Sequence, residues 1–318
     1  MNRRVLLLSP IDEAGVEVLK EGHCEVIQSC AETETARMEE MRRYDPAAIV
    51  TRTDLAVTAR LMGAAPSLQV VSRHGVGVDN IDVAEASKRG IKVTHVVDGN
   101  YLSVAEHAMF LMLACAKQYG KIRDALARDD YAVRSQILGM ELRGKTVGLI
   151  GTGHIGKALA SMAAAFGMTV TGYSRHAPAG TVSEEGIHFL KSRDAVLEGA
   201  DFAVLCLPAT KETIHSIGTR EIHLMKKSAF LINVARGSIV VEKELIEALQ
   251  NHVIAGAGLD VFDPEPPVGV NPLFHMDNVI ATPHSAALTK EALRKLAVRA
   301  SEQVVQVLDG KEPEFPVN

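Results

Sequence analysis

The sequence has few aromatic residues and no long apolar run. Tryptophan is absent from the 318 residues and aromatic side chains make up only 4% of them, which argues against an aromatic-rich β-sandwich. The 25 glycines suit an α/β chain with many tight turns. The longest apolar run, Ala108–Ala116, has nine residues, far fewer than the roughly 20 that span a bilayer. The run Val5–Leu8 is too short for a signal peptide and predicts a buried strand.

The chain is also poor in cysteine and has no basic tract. Its four cysteines (Cys24, Cys30, Cys115 and Cys206) form no C-x-x-C motif, and its 12 histidines show no H-x-H or H-E-x-x-H arrangement, so we expect no metal site. Structural thiols of this kind are typical of a reducing cytoplasm, which is where we expect the protein. Lys plus Arg number 34 and Asp plus Glu 39, and this net charge of −5 argues against nucleic acid and anionic membranes as partners.

What the chain has instead is an alternation of short apolar runs with amphipathic stretches, which predicts parallel β-α-β units. Strands are predicted at Arg4–Ser9, Cys24–Gln28, Ala48–Thr51, Leu68–Ser72, Lys92–Val96, Thr146–Ile150, Met168–Tyr173, Asp201–Leu207, Ala229–Asn233, Ala255–Asp260 and Val279–Ala281. Helices are predicted at Asp12–Glu21, Thr33–Arg43, Ser103–Gly120, Ile155–Phe166, Glu242–Gln250 and Lys290–Leu308. At roughly 100–200 residues per domain, the length predicts two domains.

A glycine-rich turn follows the predicted strand Thr146–Ile150 and opens a helix. Gly151, Gly153 and Gly156 fit the pattern G-x-G-x-x-G, in which the first glycine permits a tight turn, the second lets the backbone approach a pyrophosphate, and the third packs the helix on the strand. The start of the helix adds N–H donors and a partial positive charge. We therefore expect a dinucleotide to bind here, the alternative being a turn that is merely rich in glycine.

The end of the next strand indicates which dinucleotide binds. An NAD site usually offers Asp or Glu about 20 residues after the glycine pattern, for the adenine ribose hydroxyls. This chain has Ser174 and then Arg175, and the exchange of a carboxylate for a guanidinium favours the 2′-phosphate of NADP. The alternative is that Arg175 is only solvated and NAD binds without its acidic anchor.

Three loops in the second half follow predicted strands, at the sheet edge where ligands of α/β proteins bind. They are Asn233–Gly237, Gly258–Pro266 and Thr282–Ala286, and they supply a guanidinium, a carboxylate and an imidazole. Each alone is ambiguous, since a His after Pro or a Glu between prolines is common at a loop surface.

Together with the glycine pattern, these loops resemble one known family over essentially the whole chain. The segments Val76–Asp82 (VGVDNID), Asn100–His107 (NYLSVAEH) and Thr282–Ala286 (TPHSA) are similar to motifs of the D-isomer-specific 2-hydroxyacid dehydrogenases. We expect two Rossmann-like domains with an interdomain cleft: a flavodoxin-like substrate domain (1–99 and 289–318) and an NAD(P)-binding domain (100–288). The resemblance implies a homodimer, with Tyr101–Leu138 at the interface.

The resemblance also implies catalytic roles for Arg236, Glu265 and His284. A 2-oxo acid presents a carboxylate beside a carbonyl, and the fork of Arg236 can hold the carboxylate bidentately. As hydride arrives at the carbonyl carbon, His284 would supply the proton as general acid. Glu265 would hydrogen-bond the other ring nitrogen of His284 and orient the imidazole.

Further contacts are implied by the same resemblance. Besides the three glycines and Ser174 and Arg175, the cofactor would contact His154, Ile155, Leu207, Pro208, Thr213, Val234, Ala235, Asp260, His284 and Ala286. The substrate carboxylate would bind the backbone of Gly75, Val76 and Gly77.

Arg52 and Arg73 follow two predicted strands of the first domain, and their segment looks like that of 3-phosphoglycerate dehydrogenases, in which arginines hold a phosphate. They would suit a substrate phosphate or second carboxylate, the alternative being surface or interdomain salt bridges. Because compact, NADP-using glyoxylate and hydroxypyruvate reductases belong to the same family, we expect a reductase of such small 2-oxo acids. The alternatives are a phosphoglycerate dehydrogenase-like enzyme without a regulatory domain and a dinucleotide-sensing corepressor.

Overall fold

The computed structural model describes residues 2–52 and 55–318 and divides into two compact units. Unit 1 comprises Met1–Asn100 with Leu288–Asn318, and unit 2 comprises Tyr101–Ala287. These divisions differ by one residue from the domain limits expected from the sequence. Each unit is built on one parallel sheet, so the predicted α/β class with two Rossmann-like domains is confirmed.

The sheet of unit 1 has five parallel strands in the order β2-β1-β3-β4-β5, which is the flavodoxin-like order. Its strands are β1 Arg4–Leu7, β2 Glu25–Gln28, β3 Ala48–Thr51, β4 Val70–Arg73 and β5 Lys92–Thr94. The helices between them are α1 Glu13–Glu21, α2 Glu34–Tyr44, α3 Ala59–Met62 and α4 Val83–Lys88. Every residue of β3 and β4 is buried, because helices cover both faces of a parallel sheet.

Unit 2 is larger and has seven parallel strands in the order β12-β11-β10-β9-β6-β7-β8. Its strands are β6 Thr146–Ile150, β7 Thr169–Tyr173, β8 His188–Phe189, β9 Phe202–Leu205, β10 Phe230–Asn233, β11 Gly256–Leu259 and β12 Val279–Ala281. Its helices are α5 Tyr101–Ala116, α6 Tyr119–Leu126, α7 His154–Ala165, α8 Arg193–Gly199, α9 Thr219–Leu224 and α10 Glu242–Gln250. The strand order reverses between β6 and β9, so the loops after these two strands lie where dinucleotide-binding sheets hold their ligand.

The last helix, α11 (Lys290–Leu308), returns to unit 1 and packs against α1. The approach is close at Gly15, where an added Cβ would lie 2.7 Å from the carbonyl oxygen of Ala297. Thr289 begins α11 by accepting a hydrogen bond from the N–H of Ala292 through its hydroxyl. In the described ranges, no helix has both the length and the apolar character of a membrane span.

The predicted strands are all present, with ends shifted by at most two residues. The predicted helix Ser103–Gly120 is correct as far as Ala116 and wrong only beyond that residue. The helix stops at Ala116, Gln118 adopts a left-handed conformation (φ +51°), and α6 begins separately. The carbonyl of Ala116 accepts from the N–H of Met140 at 2.8 Å, a partner 24 residues away that local periodicity could not predict. The two-residue edge strand β8 also carried too little pattern to be predicted.

Candidate active site

The glycine-rich loop between β6 and α7 has two glycines that the fold itself requires and one that it does not. Gly151 has φ +110°, and a Cβ there would lie 2.5 Å from the carbonyl oxygen of Cys206. A Cβ at Gly156 would collide with the carbonyl oxygen of Gly151. A Cβ at Gly153 would meet nothing within 4 Å. Since packing does not explain Gly153, its missing side chain fits a ligand that approaches the backbone from outside, as a pyrophosphate does.

The start of α7 offers the complementary charge. Gly153 is the N-cap residue and supplies no side-chain acceptor, so the first N–H groups of this 12-residue helix are left for an anion. His154 begins the helix and packs its ring against Tyr101, with centroids 5.6 Å apart. The loop and helix therefore fit the diphosphate of a dinucleotide.

Cys206 directly follows the neighbouring strand β9 and supports this loop. Its thiol donates to the carbonyl oxygen of Gly151 at 2.9 Å, and its N–H donates to the carbonyl of Ile150 at 3.0 Å. Burial raises the pKa of the thiol to about 12, so the sulfur keeps its proton and remains a donor at neutral pH. The sequence suggested only a structural thiol and did not reveal this contact.

The turn after β9 brings three of the predicted cofactor contacts together. Leu207 and Pro208 follow the strand directly, and the hydroxyl of Thr213 donates back to the carbonyl of Pro208 at 2.7 Å. The same hydroxyl oxygen accepts from the N–H of Thr210 at 2.7 Å. This turn lies beside the glycine-rich loop, because β9 and β6 are paired neighbours.

Beyond β7, Ser174 is half-buried and Arg175 is exposed. The Ser174 hydroxyl oxygen accepts from the N–H of His176 at 3.2 Å, which fixes the turn. Hydrogen bonding to Thr210 and its own backbone, and more weakly the charge of Arg175, lower the pKa of Glu212. Arg175 is thus an accessible cation with an acidic neighbour.

The loop after β10 carries Arg236. The Asn233 side chain closes this loop by accepting from the N–H of Ala235 and donating to the carbonyl of Arg236, both at 3.0 Å. The next residue, Gly237, must be glycine, because any Cβ at that position would collide with the Phe262 carbonyl. Arg236 itself is half-buried, and its guanidinium donates to the Ala235 carbonyl at 2.8 Å.

Glu265 and His284 form the pair expected from the sequence. His284 Nδ1 lies 2.7 Å from Glu265 Oε2, and Glu265 Oε1 accepts from the N–H of Phe262 at 3.0 Å. Partial burial by itself would raise the pKa of Glu265, but the hydrogen bond from His284 and the nearby positive charges, Arg236 among them, hold it below its ordinary value. The pair leaves Nε2 of His284 as the ring atom that does not face the carboxylate.

Asp260 holds the loop that carries His284. Its buried carboxylate accepts from the Thr282 hydroxyl at 2.6 Å, from the Ser285 N–H at 2.9 Å and from the Ala286 N–H at 3.0 Å. Its own carbonyl accepts from the N–H of His284 at 2.7 Å. This loop-holding role was not predicted, and contact of Asp260 with a cofactor stays a prediction.

His107 on α5 extends the same network. Its Nε2 lies 2.9 Å from the Thr282 hydroxyl oxygen and 3.5 Å from Asp260 Oδ1. Burial lowers the pKa of His107, against the opposing charge of Asp260. A neutral ring that donates to Thr282 lets the hydroxyl donate onward to the carboxylate.

The remaining predicted cofactor contacts are mostly enclosed by unit 2. Those that lie wholly or partly within its core are Ile155, Val234, Ala235 and Ala286. Their contact with a cofactor stays a prediction.

In unit 1, the loop Gly75–Gly77 follows β4, and the two candidate substrate arginines differ in exposure. Arg52 is half-buried, whereas Arg73 is only 4% exposed. The guanidinium of Arg73 donates to carbonyl oxygens of its own unit, including that of Gly77 at 2.7 Å. Direct binding of a substrate phosphate by Arg73 therefore stays a prediction that its burial argues against.

These motifs are matched by known proteins. The family model described as D-isomer specific 2-hydroxyacid dehydrogenase, NAD binding domain, matches residues 109–286. The chain belongs to the D-isomer specific 2-hydroxyacid dehydrogenase family. It is 37% identical over 326 residues to a glyoxylate reductase of Pyrococcus furiosus, with 100% of this chain and 96% of that protein covered.

Two further members of the family bear on the alternatives. A D-3-phosphoglycerate dehydrogenase of Methanocaldococcus jannaschii is 39% identical over 316 residues, covering 99% of this chain, which spans only 59% of that relative's length. The crystal structure of an NADPH-dependent glyoxylate/hydroxypyruvate reductase from Sinorhizobium meliloti, in complex with NADP and malonate, matches with a TM-score of 0.86 and 30% identity. That match covers 100% of this chain and 97% of the other.

One further residue of the site, Glu242 at the start of α10, holds the loop that carries Glu265. Its carboxylate accepts from the N–H of Asp263 at 3.1 Å and from the side-chain amide of Asn271 at 2.9 Å, on either side of Glu265. This role could not be predicted from the sequence, because an acidic residue in the first turn of a helix is common for electrostatic reasons alone.

Proposed function

We propose that the protein is an NAD(P)-dependent D-2-hydroxyacid dehydrogenase that reduces a small 2-oxo acid such as glyoxylate or hydroxypyruvate. The observation that carries this proposal is the 2.7 Å contact between His284 and Glu265, in a unit whose strand order and glycine-rich loop fit a dinucleotide. The matches to glyoxylate reductases support it.

The side chains divide the work of the reaction. When bound, the nicotinamide supplies the hydride. Arg236 binds the substrate carboxylate and polarises the adjacent carbonyl, since its charge is fixed at any physiological pH. His284 gives a proton from Nε2 to the carbonyl oxygen, while Glu265 holds Nδ1 and stabilises the protonated ring. In the reverse direction, the same nitrogen accepts the proton of the hydroxyl.

The cofactor is proposed to be NADP in preference to NAD. An exposed guanidinium at Arg175 can pair with the 2′-phosphate, and the Ser174 hydroxyl can donate to it. The NADP complex of the Sinorhizobium meliloti reductase supports this preference by analogy.

A phosphoglycerate dehydrogenase-like activity is the second candidate, because a relative of that name is 39% identical to the chain. Half-buried Arg52 is the residue proposed to meet a substrate phosphate.

We also propose a cytoplasmic homodimer. The dimer is supported by large apolar side chains that unit 2 leaves exposed in the segment Tyr101–Leu138. They are Leu102, Phe110, Tyr119, Leu126, Tyr131 and Leu138. Light scattering of the purified protein measures the oligomeric state directly.

The function is tested by steady-state kinetics on a panel of 2-oxo acids with both reduced cofactors. Glyoxylate, hydroxypyruvate and 3-phosphohydroxypyruvate form the panel, with acetaldehyde as a control that lacks the carboxylate. We expect reduction of the first two with NADPH and none of acetaldehyde. No turnover of any acid with either cofactor would refute the proposal, and a higher kcat/KM for the phosphorylated acid would favour the second candidate.

A further inference from the structure

The loop Gly75–Gly77 in unit 1 has all three of its carbonyl oxygens occupied by donors of the same unit. In chain order, they accept from the N–H of Val96 at 2.8 Å, from Nδ1 of His95 at 2.9 Å and from Nε of Arg73 at 2.7 Å. Two of the three donors are therefore side chains. The peptide oxygens of the loop are turned toward the body of the unit.

Arg73 has a position that suits support and not ligand binding. Arg73 is the last residue of β4, and its side chain is buried inside the unit. Its guanidinium also donates to the carbonyls of Thr51 at 3.3 Å and His74 at 3.2 Å. A Cβ on Gly75, whose φ is +148°, would lie 3.4 Å from the guanidinium carbon, so the loop is packed directly on the charged group. The planar fork serves several carbonyls at once, which a lysine ammonium on a flexible stem could not reproduce.

Because its carbonyls point into the unit, the loop Gly75–Gly77 turns its N–H groups outward. A trans peptide points its N–H opposite to its carbonyl, so inward carbonyls turn the amides outward. Within the described ranges, the N–H groups of Val76 and Gly77 donate to no protein acceptor, and Val76 is 38% exposed. Consecutive outward N–H groups form a concavity that binds anions.

We propose that Arg73 is a positioning residue that acts on the substrate through the loop Gly75–Gly77 and does not itself touch the substrate or its phosphate. This inference rests on the proposed function and on the role that the family resemblance implies for the loop, whose backbone would bind the carboxylate of the 2-oxo acid together with Arg236. The guanidinium, helped by His95, fixes the carbonyls inward so that the carboxylate meets only donors. Loss of Arg73 then weakens the binding of every 2-oxo acid by the same factor, whatever group the acid carries at the end opposite its carboxylate.

The test compares Arg73→Lys with the unmutated protein on glyoxylate, hydroxypyruvate and 3-phosphohydroxypyruvate. We expect KM to rise about 10- to 100-fold for each acid that the unmutated protein reduces, by a common factor, because one charge-assisted hydrogen-bond set is lost. The Kd for NADPH, which unit 2 is proposed to bind, should not change. A loss confined to the phosphorylated acid, or at least 10-fold larger for it, would overturn the proposal, because that is the effect of a direct phosphate ligand.

A second measurement needs no turnover and keeps the test independent of the proposed reaction. Calorimetry measures the binding of oxalate, a small dicarboxylate, to the protein saturated with NADP. We expect oxalate to bind about 10-fold more weakly in Arg73→Lys and less tightly also in His95→Ala, which removes the donor to the Val76 carbonyl. Unchanged oxalate affinity in both variants would overturn the proposal.

The matched control is Lys92→Met. Lys92 is half-buried at the start of β5 and pairs with Glu312 at 3.1 Å, so its loss removes one positive charge from unit 1 without touching the loop. Oxalate affinity and KM should stay as in the unmutated protein, and far-UV circular dichroism confirms that each variant is folded. Absence of turnover by the unmutated protein would contradict the proposed function, whereas equal oxalate binding contradicts only the role of Arg73.

Discussion

The two units each carry a glycine loop at the carboxyl end of a parallel strand, but they hold it by different means. In unit 1, two of the three carbonyls of Gly75–Gly77 are held by side chains outside the loop, those of His95 and Arg73, and the third by the N–H of Val96. In unit 2, the loop Gly151–Gly156 is held by its own close backbone contacts, with one thiol, that of Cys206, beneath it.

The difference predicts which kind of substitution disrupts each loop. The loop of unit 1 depends on a buried charge that lies outside the loop, the guanidinium of Arg73. A loop held by backbone contact depends on the absence of side chains within it, so a single methyl group changes its shape. We therefore expect unit 1 to be sensitive to charge and pH, and unit 2 to be sensitive to volume.

The largest expected effect is a loss of catalytic rate on replacement of His284, which belongs to neither glycine loop. His284→Ala should lower kcat by about 10²- to 10⁴-fold, because proton transfer is lost while neither loop is altered. The Kd for NADPH, measured by fluorescence titration, should stay within about 2-fold of its original value. His275→Ala, at an exposed histidine of the same unit, serves as the control. Near-normal turnover in His284→Ala would remove this residue from the mechanism.

The second prediction concerns the pH sensitivity of unit 1. Burial, followed by the charges of Arg52 and Arg73, lowers the pKa of His74 to about 4, and its neutral ring donates from Nε2 to the Leu293 carbonyl. The unfolded chain has a pKa near 6.5 and so binds more protons than the folded one between pH 6.5 and 4. Stability is fully present above pH 6.5 and falls by about 3 kcal/mol as the pH drops through that window.

Denaturant unfolding between pH 7.5 and 4 measures this effect. His74→Gln keeps a donor near the position of Nε2 and removes the titration, so the acid-dependent loss should shrink. His23→Asn, at an exposed histidine whose positive φ asparagine tolerates, should leave the loss unchanged. Equal pH profiles for His74→Gln and the unmutated protein would show that unit 1 is not held by a neutral His74.

The third prediction tests the volume sensitivity of unit 2 with two alanines in one loop. Gly153→Ala meets no protein atom and should leave the free energy of unfolding within about 0.5 kcal/mol, yet weaken NADPH binding about 10- to 100-fold, because the new methyl group occupies the approach of the pyrophosphate. Gly156→Ala should cost about 1–3 kcal/mol of stability, because its methyl group collides with the Gly151 carbonyl. If both variants lost stability alike, Gly153 would have a packing role and not a ligand role.

The smallest expected effect lies at the exposed end of the same site. Arg175→Ala should reduce the preference for NADPH over NADH by about 10-fold, mainly through KM for NADPH, since one charge-assisted contact in a solvated position is lost. The acidic neighbour Glu212 keeps the effect small, and added salt should reduce it further. Steady-state kinetics with both cofactors measure the ratio. A preference for NADH in the unmutated protein would refute the interpretation of Ser174 and Arg175.

The sequence by itself determined the types of the elements and the loops that bear the chemistry. Its apolar runs place the strands correctly, because residues buried on both faces of a parallel sheet must be continuously apolar. The glycine pattern fixed the loop after β6 because only glycine tolerates the close contacts at Gly151 and Gly156. The family motifs named Arg236, Glu265 and His284, and the predicted contact between the last two is present.

Only the tertiary structure decided which polar side chains hold these loops. The sequence placed Arg73 with Arg52 as a candidate ligand, yet the fold buries Arg73 against carbonyls of its own unit. Cys206 reaches a partner 55 residues away, and the end of α5 depends on Met140 from a later segment. The physical reason is that a buried polar group must find a hydrogen-bond partner, and the partner is set by which strands become neighbours and not by spacing along the chain.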